Sequence, residues 1–240
     1  MKRGRCAIKA NEPDGIDCRK TQILRLWAKT PVTKSGSESR NNRYHPLLYH
    51  MLDVAAVAEF VWDNWLSPNV RTRLEGILGE NARSYFIFLS GGHDIGKASP
   101  GFQKRVPELS ECSGLPYSEN DYDGKPHGFI GAHVLKETLC SSPDSNVLAQ
   151  IAGGHHGVFP RSSDLQCGRD TLGNREWKEA REVLLSEFVR IAGCDPGCGT
   201  QMSEGAQDPA LVPILAGFIS VVDWIGSNQE FFPCAADSAT

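Results

Sequence analysis

The chain of 240 residues is 40% hydrophobic and 22% charged, with a formal net charge of −4, which fits one globular domain with room for a core. It has no repeat or low-complexity tract. Its longest apolar run, the 16 residues Ala210 to Ile225, is interrupted by Pro213 and Asp223 and is too short for a membrane span. No apolar stretch follows the basic N-terminus, which speaks against a secretory signal. Eight cysteines (Cys6, Cys18, Cys112, Cys140, Cys167, Cys194, Cys198 and Cys234) are scattered without a CxxC pair. They read as reduced thiols of a cytoplasmic protein, and Cys194 with Cys198 would need a second pair to make a zinc site. Residues 1–40 carry ten Lys/Arg against four Asp/Glu, and the remainder carries 15 against 25. That basic start suits a nucleic-acid contact, and equally a solvated arm.

Residues 1–44 mix Gly, Ser, Asn and charge and read as an irregular basic segment, with one apolar patch at Ile23 to Trp27. From Pro46 to Trp65, Leu48, Leu52, Ala55 and Val61 recur at helical spacing; Pro46 suits a first turn and Ser67-Pro68 a stop. A second helix is expected over Val70 to Leu89, broken near Gly76 and Gly79 and ended by Gly91-Gly92. Residues 106–128 read as a loop, followed by short helices at about 129–140 and 146–153 and a loop over 157–174. Arg175 to Ala192 is amphipathic, with Trp177, Val183, Leu184, Phe188 and Ile191 on its apolar side. After a Gly-rich connection at 193–208, Leu211, Leu215, Phe218, Val222 and Ile225 mark a last, deeply buried helix. Convincing alternating strands are absent. The expected fold class is all-α, a helical bundle with long irregular loops. The expected division is an N-terminal segment 1–44, a domain 45–228 and a tail 229–240.

Metal-ligating residue types recur across this plan. His93-Asp94 stands in Gly-Gly-His-Asp-Ile-Gly-Lys, with His50 before it and His127, the pair His155-His156 and Asp223 after it. Imidazole with carboxylate suits first-row divalent metals, and two metals roughly 3.5–4 Å apart are a usual device for cutting phosphate esters. The pattern therefore reads as a metal-dependent phosphodiesterase. His50 and Asp53 are three apart, so Asp53 could orient His50 or only stabilise a turn. His45 precedes Pro46 and reads as a boundary residue outside the site. Lys97 could pair with Asp94 or hold a scissile phosphate. Spacing does not choose between His127 and His133. Asp223 and Ser220 are the only polar residues from Ala210 to Ile225, and a buried carboxylate costs several kcal/mol without a cation.

In this order the pieces resemble the HD superfamily of metal-dependent phosphohydrolases. The segments beginning His50-Met-Leu-Asp, His93-Asp-Ile-Gly-Lys, His155-His-Gly and Val222-Asp-Trp-Ile-Gly-Ser are similar to the nuclease module of the CRISPR-associated helicase–nuclease of type I interference. The resemblance runs from about residue 44 to 228. It implies an HD-domain-like helical bundle that cuts single-stranded DNA with one or two divalent transition metals. It also implies that His50, His93, Asp94 and Asp223 hold one metal, and that Asp94 bridges to a second held by His127, His155 and His156. His127 is preferred to His133 because His127-Gly128 with Gly131 fits the small residues that follow this ligand. Asp94 and Lys97 are the implied catalytic pair. Mn, Fe, Co, Ni or Zn is expected ahead of Mg, which prefers oxygen.

The implied partners are single-stranded DNA, a helicase module in cis or trans and a DNA-bound CRISPR surveillance complex, with no membrane. No Gly-x-x-x-x-Gly-Lys-Ser/Thr phosphate loop occurs, so ATP hydrolysis is not expected of this chain by itself. The tail from residue 229 is read as a linker toward a helicase. Phe102 and Phe159 are candidate exposed aromatics for base stacking, although ordinary packing is the more common use of such residues. The alternative is an HD phosphohydrolase acting on nucleotides or cyclic dinucleotides.

Overall fold

A computed structural model describes residues 13–31, 43–139, 142, 144–197 and 210–237. The architecture is helical, as expected. The N-terminal stretch departs from the irregular segment read from the sequence. Pro13–Leu24 forms helix α1, and Trp27–Lys29 forms strand β1. Ile23 and Leu26 enter the main core, and Arg19 and Lys20 make ion pairs with Glu179 and Glu187 at 3.0 and 2.8 Å. The basic residues at 1–12 and 32–42 lie outside the described residues.

Strand β2 (Arg43–Pro46) pairs antiparallel with β1 and with β3 (Ala236–Asp237), so a small three-stranded sheet exists where none was expected. These strands are two to four residues long, too short to print a period-2 pattern.

Helix α2 (Leu47–Phe60) runs into a π-helical turn at Val61–Trp65, and its buried face is Leu47, Leu48, His50, Met51, Val54, Ala55 and Ala58. Helix α3 (Pro68–Leu78) starts on a Ser67 hydroxyl that accepts the Val70 amide, and stops at Gly79, φ 77°. Helix α4 spans Ala82–Gly92. A Cβ on Gly91 would meet the Phe188 ring at 2.4 Å and the Met51 carbonyl at 2.7 Å, so this glycine lets α4 press against α2 and delivers residue 93 beside residue 50.

A single 3₁₀ turn, Ile95–Lys97, follows, then α5 (Pro100–Gln103) and α6 (Pro107–Cys112), short helices in a region partly read as loop. Helices α7 (His127–Thr138) and α8 (Ser145–Gly153) pack on each other, and α7 also packs on the 3₁₀ turn. The short α9 (Arg169–Leu172) precedes α10 (Arg175–Ala192), whose Asn174 side chain accepts the Glu176 and Trp177 amides and whose end is a left-handed Gly193. Ile191, expected on the apolar side of α10, is 48% exposed.

Helix α11 (Leu211–Gly226) is buried along one seam only: Leu211, Leu215, Ala216, Ile219, Val222 and Gly226. Ile214, Trp224 and Ile225 are exposed, so the expectation of a deeply buried helix is corrected: apolar content does not say which face is covered. No helix among the described residues is long and apolar enough to cross a membrane. Cys112, Cys167, Cys194 and Cys234 are free thiols, and Cys198 lies outside the described residues.

Candidate metal centre

Five helical elements end or turn toward one point. His50 comes from α2, His93-Asp94 from the end of α4, His127 from the first residue of α7, His155-His156 from just after α8, and Asp223 from the last turn of α11. Their ligating atoms form two groups, each lying within 4.8 Å of one another: His50, His93, Asp94 and Asp223, and His127, His155 and His156.

Asp94 stands between the groups. Its Oδ2 is 2.9 Å from His50 Nε2 and 3.5 Å from His93 Nε2; its Oδ1 is 3.1 Å from His127 Nε2 and 3.9 Å from His155 Nε2. Asp223 Oδ1 lies 3.4 Å from His50 Nε2 and 3.5 Å from His93 Nε2, and the Ser227 hydroxyl donates to it at 2.9 Å. His156 Nε2 sits 3.1 Å from His127 Nε2. His50, His93, Asp94 and His155 are buried while His156 is exposed, so the centre opens on the side of the second group. Of the two lysine roles the sequence allowed, Lys97 pairs with Asp94 here, Nζ 2.7 Å from Oδ2.

The rings are set by the main chain. His93 Nδ1 donates to the Ser90 carbonyl at 2.6 Å and His155 Nδ1 to the Ala152 carbonyl at 2.7 Å. With Nδ1–H committed, each neutral ring turns a bare Nε2 lone pair toward the Asp94 carboxylate. Both Nε2 atoms, together with His50 Nε2 and Asp94 Oδ1, are buried without a hydrogen-bond partner. Lone pair facing lone pair in a dry site is repulsive unless a proton or a cation lies between them. The residues therefore fit a divalent transition metal, and His-rich donors suit Ni, Co, Zn, Fe or Mn better than Mg.

The electrostatics agree. Burial alone would raise Asp94 and Asp223. Lys97 and His93 acting on Asp94, and His50 and His93 acting on Asp223, instead hold both carboxyls well below the usual carboxylate range. His93 is lowered by burial but raised overall by Asp94 and Asp223. His155 is driven down to about 3 by burial and by His93, and His156 is lowered by burial and His127.

Other sequence candidates fall elsewhere. Asp53 does not orient His50: its Oδ2 takes the His45 Nε2 contact at 2.7 Å. His133 directs Nδ1 to the Leu165 carbonyl at 2.7 Å and Nε2 toward Glu137, away from both groups. Of its two readings, Phe102 takes the packing one: it is 6% exposed and lies against Trp27 and His127 with ring centroids 4.6 and 5.7 Å away. Phe159 is 39% exposed. In the sequence Ser227 stands only as part of the last motif; its spacing of four from Asp223 on a helix is the available signal for its contact.

A helical scaffold whose helix ends converge on paired histidine–carboxylate groups defines an HD-type metal-binding domain. The family model described as "Cas3, HD domain" matches residues 27–232, and the chain belongs to that family. It is 34% identical to a CRISPR-associated endonuclease/helicase Cas3 of Thermus thermophilus over 89% of this chain and 23% of that protein. It is 26% identical to a CRISPR-associated nuclease/helicase Cas3 of Streptococcus thermophilus over 87% of this chain and 25% of that protein. The chain thus spans about a quarter of the length of these relatives. Among solved structures it is similar to the Thermus thermophilus Cas3 HD domain crystallised in the presence of Ni²⁺, with a TM-score of 0.61 and 30% identity over 91% of this chain and 83% of that one. A structure of a CRISPR-associated protein matches with a TM-score of 0.76 and 37% identity over 95% of this chain and 25% of that one.

Proposed function

We infer that this chain is a metal-dependent nuclease that cuts single-stranded DNA in type I CRISPR interference, acting with a helicase module and a DNA-bound surveillance complex. The observation that carries the reading is the position of Asp94, with one oxygen toward each histidine group. His50, His93, Asp94 and Asp223 would hold one metal; His127, His155 and His156 would hold a second, with Asp94 shared. The nuclease body is read as taking in α1 and β1 as well as residues 45–228, since Ile23 and Leu26 enter its core, and β3 pairing with β2 keeps the stretch after residue 229 on that body. The relatives' names, which join nuclease with helicase, support the partner.

A divalent metal in this centre would supply positive charge to a phosphate and lower the pKa of water. The chain's own residues do the rest. Lys97 helps keep Asp94 deprotonated, and its ammonium would offer a phosphate oxygen a point charge. His155 and His156, both held below the ordinary imidazole value, stay neutral near pH 7 and keep their lone pairs available. Burial of Asp94 and His93 excludes bulk water from the inner side.

The test is Asp94→Ala assayed on circular single-stranded DNA with Mn²⁺ or Ni²⁺. Loss of cutting is expected; cutting at the parental rate overturns the reading. A panel of nucleotides and cyclic dinucleotides run beside the DNA distinguishes a small-molecule phosphohydrolase, which would turn over the panel and spare the circle.

A further inference from the structure

Arg181 is a charge with no role in the centre described above. It lies in the middle of α10, is 5% exposed, and burial pulls its guanidinium down to about 10. No carboxylate among the described residues is within ion-pair distance of it, and Glu137 acts on it only at longer range. Its donors go to main-chain carbonyls instead: Nη1 is 2.9 Å from the Ala98 oxygen and 2.8 Å from the Leu172 oxygen. A buried unpaired cation is costly, and an aliphatic residue of similar volume would pack there at less cost.

Gln103 does the same work one residue earlier. It is fully buried; its Nε2 donates to the Lys97 carbonyl at 2.9 Å and to the Trp27 carbonyl at 2.9 Å, and its Oε1 accepts the Trp27 amide at 3.1 Å. The two side chains therefore grip consecutive carbonyls, those of Lys97 and Ala98, at the exit of the 3₁₀ turn that begins at Asp94.

That turn is a weak element by itself, closed by Lys97 N to Asp94 O at 2.8 Å and Ala98 N to Ile95 O at 3.0 Å. Its far side is pressed directly on α7: a Cβ on Gly96 would stand 1.9 Å from the His127 carbonyl and 2.5 Å from the Gly131 amide. A shift of the turn would carry Asp94 and Lys97 with it and push against the residue that bears His127.

We propose that Arg181 and Gln103 are positioning residues that clamp the Asp94–Lys97 turn and so set the metal affinity of both histidine groups. The proposal rests on the metal-binding reading above and concerns residues that touch no ligand. Mn²⁺ affinity is measured by titration calorimetry, and melting temperature by scanning, on the full chain and on Arg181→Met, Arg181→Lys, Gln103→Glu and Ile77→Val, the last a core change in α3.

Arg181→Met and Gln103→Glu should weaken Mn²⁺ binding about 10- to 100-fold. Arg181→Lys keeps a cationic donor but has a shorter side chain with which to reach the point where Nη1 meets both carbonyls, so it should fall between Arg181→Met and the parent. Ile77→Val should lower the melting temperature and leave Mn²⁺ affinity unchanged. Parental affinity within twofold in any Arg181 or Gln103 variant that keeps its helical circular dichroism overturns the clamp, since a merely structural role moves melting and spares affinity. If Arg181→Met does not fold, Arg181→Lys and Gln103→Glu decide. Failure of the parent chain to bind Mn²⁺ would instead defeat the reading on which the clamp rests.

Discussion

His93 and His155 stand with ring centroids 4.5 Å apart and interplanar angle 77°, and both have committed Nδ1 to a backbone carbonyl. Neither ring can give its Nε2 a proton without becoming a cation, and the structure treats the two oppositely. His93 is raised by Asp94 and Asp223, whereas His155 is driven down to about 3 by burial and by His93 itself. In the metal-free protein, protonation is thus favoured on His93 and opposed on His155.

The pH dependence follows from those directions. His93 is raised, so its contribution to metal-free stability is present below the unfolded value of about 6.5 and is lost as pH rises through its higher folded value. Asp94 and Asp223 are depressed, so their contribution is present above roughly pH 4 and is lost as pH falls toward their folded values. Metal competes with the proton for His93, whose hold on a proton is raised. The gain in melting temperature on adding Mn²⁺ should therefore increase between pH 5 and pH 8, and DNA cutting should fall below pH ~6. Melting curves with and without Mn²⁺ across that range check this; a constant gain would count against it.

On the two-metal reading proposed above, His127→Ala should bind one ion fewer than the parent, because it removes a member of the second group and spares the first. His133→Ala should keep the parental stoichiometry, since its ring is tied to Leu165. Metal content after dialysis distinguishes the two variants, and equal content would refute the assignment of His127.

Gly96→Ala should destabilise the chain by at least about 1–3 kcal/mol, the usual cost of overpacking, because the new methyl meets backbone that cannot rotate away. Gly76→Ala, where a Cβ meets nothing within 4 Å on an α-helix, should be neutral or stabilising by up to about 1 kcal/mol. Urea titration of both variants measures the contrast.

Phe60, Trp65 and Trp224 are 63%, 68% and 73% exposed. Phe60 and Trp65 line one apolar depression with Val221, Ile225 and Phe232, which belong to α11 and the segment after it. Trp224→Ser should change stability by less than about 0.5 kcal/mol, as surface changes usually do, and should reduce concentration-dependent association of the isolated chain. Light scattering against concentration reads the second effect, and an unaltered slope would contradict it.

Much of this plan was legible in the residues. Asn174 and Gly193 mark both ends of α10, and the Gly91-Gly92 pair foretold that His93-Asp94 would emerge at a helix end. The isolated charge in the run that became α11 announced a partnered carboxylate. Other features were hidden for physical reasons. The strands are too short for periodicity, and α1 has little amphipathic contrast. The His45–Asp53 contact crosses a strand–helix junction, where no spacing rule applies. Aromatic residues look alike in sequence whether they face solvent, as Phe159 does, or pack under an imidazole, as Phe102 does. Gln103 gave no sign of its place because its partners, Trp27 and Lys97, meet it only in the folded chain.

The carbonyls that orient His93 and His155 belong to Ser90 and Ala152, both within the last turn of their helices, where main-chain acceptors have no intrahelical donor. The centre thus borrows its outer supports from peptide groups that every residue type carries. The side chains at positions 90 and 152 are fully buried and make neither bond, so packing limits what they can be while the rings depend on where α4 and α8 end. Lengthening either helix by one turn would be the damaging change, although it would alter none of the imidazoles or carboxylates.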